Sequence, residues 1–249
     1  MQRIFCAVVA VLLLIQPPTP RAVADEIPPE VAAYAQALAA LRQHSPPTIT
    51  VEVVFQTGLR ARASLLTSAS PTAGYLLESL APAAYQAVEQ QLPGFKLNLE
   101  EFVFVQPDPE FFLALAKQHG DQADRAFFQR YQAMFPDPSS WPLYHERQTD
   151  IGGCTKFGAL ALVRAYESWS IYQQAYPHRY SAPVAKLLND LQNELLEGSC
   201  ACGSKEETLL ELQEFVRTFP QASLTPKVQQ RLRAIELDQS GIRFHCLAN

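Results

Sequence analysis

The stretch FGALALVRAYESWSIYQQAYP, residues 157–177, decides the fold. Phe157, Leu160, Val163, Tyr166, Trp169 and Tyr176 recur at the three-to-four-residue spacing of one helix face, and Pro177 ends the run. Aromatics at that spacing read as core rather than as a ligand platform. Three more periodic runs follow. Val184, Leu187, Leu188, Leu191 and Leu195 close at Gly198; Leu209, Leu212, Phe215, Val216 and Phe219 close at Pro220; Val228, Leu232 and Ile235 make the last. Short polar connections join them, so residues 154–249 read as two successive helical hairpins.

Upstream the pattern stays helical. Asp108-Pro109-Glu110 places a capping Asp, a Pro at the first helical position and an acid in the first turn, and the helix they open stops at Gly120. Asp121 caps the next one, whose apolar face is Phe127, Phe128, Tyr131 and Phe135. A helix from Pro82 to Leu92 turns Tyr85, Val88 and Leu92 inward, and one after Pro28-Pro29 aligns Val31, Tyr34, Ala35, Leu38 and Leu41. Thr48 to Phe55 is β-branched and partly alternating. It reads as a strand that would pair with Phe102–Val105, unless tertiary packing makes it helical. The expected fold is mainly α, about eight helices in successive hairpins, with one small strand pair possible in the N-terminal half.

The first residues supply a compartment. Arg3 precedes an apolar run from Ile4 to Ile15, and Ala22-Val23-Ala24 offers the small-x-small site of a secretory signal peptide. The run is too short to span a membrane as a helix. Residues 1–24 are therefore read as signal and 25–249 as mature chain, divided into a mostly helical part (25–136), a long loop (137–153) and the hairpins (154–249). The expected location is periplasmic or secreted, with no transmembrane segment after cleavage. The chain carries 20 Lys+Arg and 25 Asp+Glu; without Arg3 and Arg21 the balance is 18 against 25, about −7. An acidic chain lacking a basic run is unsuited to nucleic acid or to anionic membrane surfaces.

Removing the signal also removes Cys6 and leaves Cys154, Cys200, Cys202 and Cys246, an even set that reads as two disulfides. Cys200-Ala201-Cys202 is too closely spaced for a zinc knuckle. It is also too tight a ring to bond to itself. Helices of similar length between Cys154 and Cys200 bring those two together, so the favoured pairing is Cys154–Cys200 with Cys202–Cys246. The crossed alternative, Cys154–Cys202 with Cys200–Cys246, differs by only two residues of reach. Loops of about 45 residues would stabilise the fold by roughly 3–4 kcal/mol each.

Residues 137–153 have no period, and a loop of that length in a compact domain tends to carry function. Trp141, Tyr144, His145, Glu146 and Asp150 are its candidate binding residues, expected on a surface, with Arg147, Gly152, Gly153, Cys154, Thr155 and Lys156 beside them. His145-Glu146 fails the zinc hydrolase pattern because position 149 is Thr149, so neither metal nor other cofactor is expected. Glu167-Ser168 resembles the catalytic Glu-Ser pair of lytic transglycosylases, without the Gly-rich stretch that follows it there. Glu214 to Ser223 resembles the join between helices in tetratricopeptide-type repeats, but Thr208 and Phe215 stand where Ala is usual and no copy recurs about 34 residues away. The expected function is non-catalytic: an exported protein that binds a protein or envelope ligand through the hairpins and the 137–153 loop. The alternative is an envelope hydrolase using Glu146, His145 or Asp150 as acid or base. Protein taken from the exported fraction should begin at Asp25 by intact mass; a chain still beginning at Met1 contradicts the secretory reading.

Overall fold

A computed structural model describes residues 27–44, 48–68, 73–100, 102–136, 141–147 and 153–246. The segment read as a signal peptide, the cleavage site expected at its end and Asp150 lie outside these residues. The described chain is mainly helical. Its N-terminal half runs α1 (Pro29–Gln43), α2 (Val51–Leu65), the single turn α3 (Leu76–Ser79), α4 (Pro82–Gln91), β1 (Phe95–Asn98), β2 (Phe104–Pro107), α5 (Pro109–His119) and α6 (Gln122–Met134). After β3 (His145–Arg147) and β4 (Gly153–Thr155) come α7 (Ala161–Ala175), α8 (Ser181–Glu197), α9 (Lys205–Thr218) and α10 (Thr225–Glu236). These last four pack as α7 with α8 and α9 with α10.

The strand expected at Thr48–Phe55 is the start of helix α2. Thr50 caps it, its side chain accepting from Val53 N–H at 3.2 Å. The buried positions Val51, Val54, Phe55, Gly58, Ala61 and Leu65 follow helical spacing, which shows only when the window extends past Phe55. Packing overrides β propensity here. Gly58 has a further role: a Cβ there would lie 2.5 Å from the Phe95 ring, so its absence lets β1 approach α2. The N-terminal strand pair is β1 with β2, antiparallel, with Leu97 opposite Val105.

Phe55 centres the core. Its ring lies 5.1 Å from those of Phe112 and Phe128, 5.6 Å from Phe127 and 6.0 Å from Tyr180. Tyr180 stacks on Phe127 at 4.0 Å. The turn that carries it is fixed ionically. Arg179 reaches Glu52 at 2.7 Å, Asp121 at 2.6 Å and Asp124 at 2.7 Å, and Tyr180 donates its hydroxyl to Asp124 at 2.6 Å. One guanidinium thus ties the start of α2, the start of α6 and the α7–α8 turn.

Helix α7 begins at Ala161, later than its apolar stripe suggests, because Glu211 from α9 organises a turn in front of it. Glu211 is fully buried. Its carboxylate accepts from the amides of Gly158 (3.0 Å), Leu160 (2.6 Å), Leu162 (3.0 Å) and Val163 (3.2 Å). Those of Leu160, Leu162 and Val163 are orphan donors of the helix N-terminus, normally met by a local cap. Leu160 takes φ 56° and Gly158 φ 91° to present them. Burial pushes the Glu211 carboxyl above the usual carboxylate range, against the pull of the four amides.

The disulfides are Cys154–Cys202, with Cα atoms 5.0 Å apart, and Cys200–Cys246, 6.0 Å apart. The favoured pairing of the sequence reading is thereby corrected to the crossed one. Cys200 and Ala201 form isolated β-bridges with partners on both sides. Thr155 N–H donates to Cys200 O, and Cys202 N–H to Thr155 O; on the other flank Ala201 N–H donates to Arg243 O, and Cys246 N–H to Ala201 O. This local ladder, rather than equal helix lengths, sets which sulfurs meet.

Replacing Glu211 by Leu should leave four amides without their acceptor and destabilise the fold by at least about 3 kcal/mol, with Gln costing less because it keeps one oxygen. Urea midpoints at unchanged slope measure both. A Leu variant as stable as the parent would show that the cap is dispensable.

Candidate functional site

The loop foreseen at 137–153 contains a short β-hairpin. Antiparallel β3 and β4 place His145 opposite Thr155 and Glu146 opposite Cys154. The hairpin is tied down at several points. Leu143 N–H donates to Met134 O at the end of α6, and Lys156 N–H to Tyr144 O, both at 2.8 Å. Gly153 lets Trp141 fold across it, since a Cβ there would lie 3.0 Å from the indole and 2.7 Å from Glu146 O.

The hairpin walls a groove of about 520 Å³. Trp141, Tyr144 and His145 line one side, Phe55, Leu59 and Arg62 of α2 another, Tyr131 and Phe135 at the end of α6 a third, and Lys186, Asp190 and Glu194 of α8 the last. Three of the five expected binding residues therefore meet in one cavity. Tyr144 is not on an open surface: it is 3% exposed and meets solvent only through the groove. Glu146 is turned out of the groove and pairs with Lys156 at 2.8 Å. Glu167, of the Glu-Ser pair, is exposed on α7 and lines no part of the groove.

Sequence reasoning missed Glu194, whose periodic run showed only its apolar stripe. Its Oε1 lies 3.1 Å from His145 Nε2, and its Oε2 accepts from Thr155 Oγ1 at 2.7 Å. The two side chains are only 20% and 22% exposed, so solvent screens the pair weakly. Burial acts to raise the Glu194 carboxyl, but the bonds from His145 and Thr155, aided by the charge of Arg231, outweigh it and hold the group below the usual range. Arg231 of α10 also donates to the Glu194 carbonyl at 3.0 Å, capping the end of α8. Near the acidic wall Tyr144 is pushed upward by burial and by Glu194 and Asp190.

On the opposite face of the hairpin a second cavity, about 450 Å³, is lined by Leu143 and Trp169 with Arg130, Lys156 and Arg164. Arg130 is engaged by the carbonyls of Ser168 and Ala126, and Lys156 by Glu146. Among the described residues no group of three or more His, Cys, Asp or Glu side chains could hold a metal ion. No described helix is long and apolar enough to cross a membrane. No family model, no curated protein and no solved structure matches the chain.

Because the Glu194 carboxyl is lowered on folding, the stability it contributes is present above the ordinary carboxylate pKa of about 4.3 and is lost as pH falls through its lower folded value. Glu194→Gln should lose less stability than the parent between neutral pH and strong acid, read as urea midpoints. Parallel pH curves would remove Glu194 from the acid response.

Proposed function

We propose that the protein is exported and acts as a binding protein, holding its ligand in the groove beneath Trp141. Support for export comes from the signal-like N-terminus and the two disulfides, which persist in oxidising compartments. The observation that carries the binding reading is the groove itself. It has the size of a small-molecule site, and it joins aromatic and aliphatic walls to polar and charged side chains that could orient a ligand.

The alternative, a hydrolase with His145 as base, draws on the His145–Glu194 pair, since a carboxylate behind an imidazole is a common way to orient it. The chemistry around the pair favours binding. Both Glu194 oxygens are occupied, one by His145 and one by Thr155, so the acid acts as an anchor fastening the hairpin to α8. Glu146 is spent on Lys156, and no Ser, Thr or Cys stands among the described groove residues to serve as nucleophile.

Asn193 is exposed at the groove edge, and Asn193→Trp should fill the cavity without touching the core. Compounds that raise the melting temperature of the parent should fail to do so in this variant. Equal shifts in both proteins would move the binding site elsewhere. Turnover of a bound ester or glycoside that is abolished by His145→Ala would instead support the hydrolase.

A further inference from the structure

Resting on the groove as the binding site, we infer that its ligand is a small anion, a carboxylate on an aromatic or aliphatic body, with the carboxylate received by Arg62. The charges of the groove single out this residue. Lys186 pairs with Asp190 at 2.7 Å, four residues on along α8. His145 pairs with Glu194. Arg62 forms no ion pair with any carboxylate among the described residues, and its Nε is buried without a hydrogen-bond partner. Buried donors are satisfied as a rule, so the guanidinium that lines this groove has hydrogen-bonding capacity the fold does not use. A guanidinium presents a planar fork that suits a carboxylate in two parallel bonds.

Position along the groove gives the site a polarity. Tyr131, beside Phe135 with ring centres 4.8 Å apart, sits within the field of Arg62, whereas Tyr144 sits within the fields of Glu194 and Asp190. The α2 side of the groove thus carries a guanidinium unpaired among the described residues, and the α8 side carries Asp190 and Glu194 with Lys186 paired to Asp190. The rings of Phe55, Phe135 and Trp141 supply apolar wall for the body of the ligand. The cavity volume suits a small molecule, not a protein segment burying a standard interface. The second cavity is a weaker anion site, because two of its three cations already have partners.

The test uses matched probes, arylalkanoic acids of two to five methylenes and their primary amides, titrated into the mature protein by ligand-observed NMR. The parent should bind at least one acid roughly tenfold or more tightly than its amide, the difference expected of a charge-assisted pair. Arg62→Met keeps the apolar stem and removes the charge; it should bring the acid down to the affinity of the amide. Asn193→Trp should abolish both. Equal binding of acid and amide in the parent, lost in Asn193→Trp, overturns the anion while leaving the groove in place. Binding unaffected by Asn193→Trp overturns the groove. Failure of every acid to saturate at millimolar concentration overturns the anion inference. A second reading needs no ligand: Arg62→Met should raise the melting temperature of the free protein, because the Nε there is buried without a hydrogen-bond partner. A lower melting temperature would make Arg62 a structural residue and defeat the proposal.

Discussion

Ala201 is where the C-terminal half is held together. It is fully buried. Thr155 lies against it on one side and Arg243 reaches it on the other. Four pieces of chain meet at this point: the exit of the hairpin, the end of α8, the approach to α9 and the returning tail. A side chain larger than Ala would have to displace one of them. The disulfides flank the junction, Cys202 fastening the hairpin side and Cys200 the tail side. Each closes a loop of nearly fifty residues, 48 and 46 in separation, and so restricts the unfolded chain over almost the whole C-terminal half.

The site inherits its geometry from that junction. β4 is fixed against residues 200–202, and β3 is fixed to β4, so His145 is delivered to α8 with little freedom left. Glu194 then completes the arrangement by bonding one residue from each strand, His145 of β3 and Thr155 of β4. The segment 141–145 divides the space around the hairpin. Trp141 and Tyr144 face the groove, while Leu143 faces the second cavity. The bond from Leu143 N–H to Met134 O holds the register.

Most helices were legible because their buried positions repeat over several turns, as in Val184 to Leu195 or Phe127 to Phe135. The misreading at Thr48–Phe55 came from a short window: seven of its eight residues are β-branched or aromatic and suit a strand, and only Gly58, Ala61 and Leu65 reveal the helix. The delayed start of α7 had no local signal, because its cap, Glu211, comes from fifty residues downstream. The disulfide pairing failed for a related reason. Helix lengths fixed which ends approach, but a separation of two residues between Cys200 and Cys202 is decided by backbone bonds to Thr155 and Arg243. At the site, Trp141, Tyr144 and His145 were visible as loop aromatics and a titratable group. Glu194 and Arg62 were not: Glu194 lies in a periodic helix where a charged residue reads as a solvated face, and Arg62 lies in the part of α2 past Phe55 that the strand reading left out.

Arg179 and Arg62, at opposite ends of α2, show how differently one side chain can be used in a single fold. At the N-terminal end of the helix Arg179 meets Glu52, Asp121 and Asp124, three acids for one cation. The pairing returns what desolvation takes, and the excess negative charge at Glu52 also suits the positive end of the α2 dipole. Arg62 stands in the last turn of the same helix with no acid to meet it. The negative end of the dipole offsets part of its charge, by up to about 1 kcal/mol at a half-exposed position, which lets the fold tolerate the group without satisfying its Nε. An interior that surrounds one guanidinium with carboxylates could accommodate a second in the same way. Leaving Arg62 unpaired at the rim of the aromatic groove is a departure from that pattern, and such local departures concentrate where a protein meets its ligand.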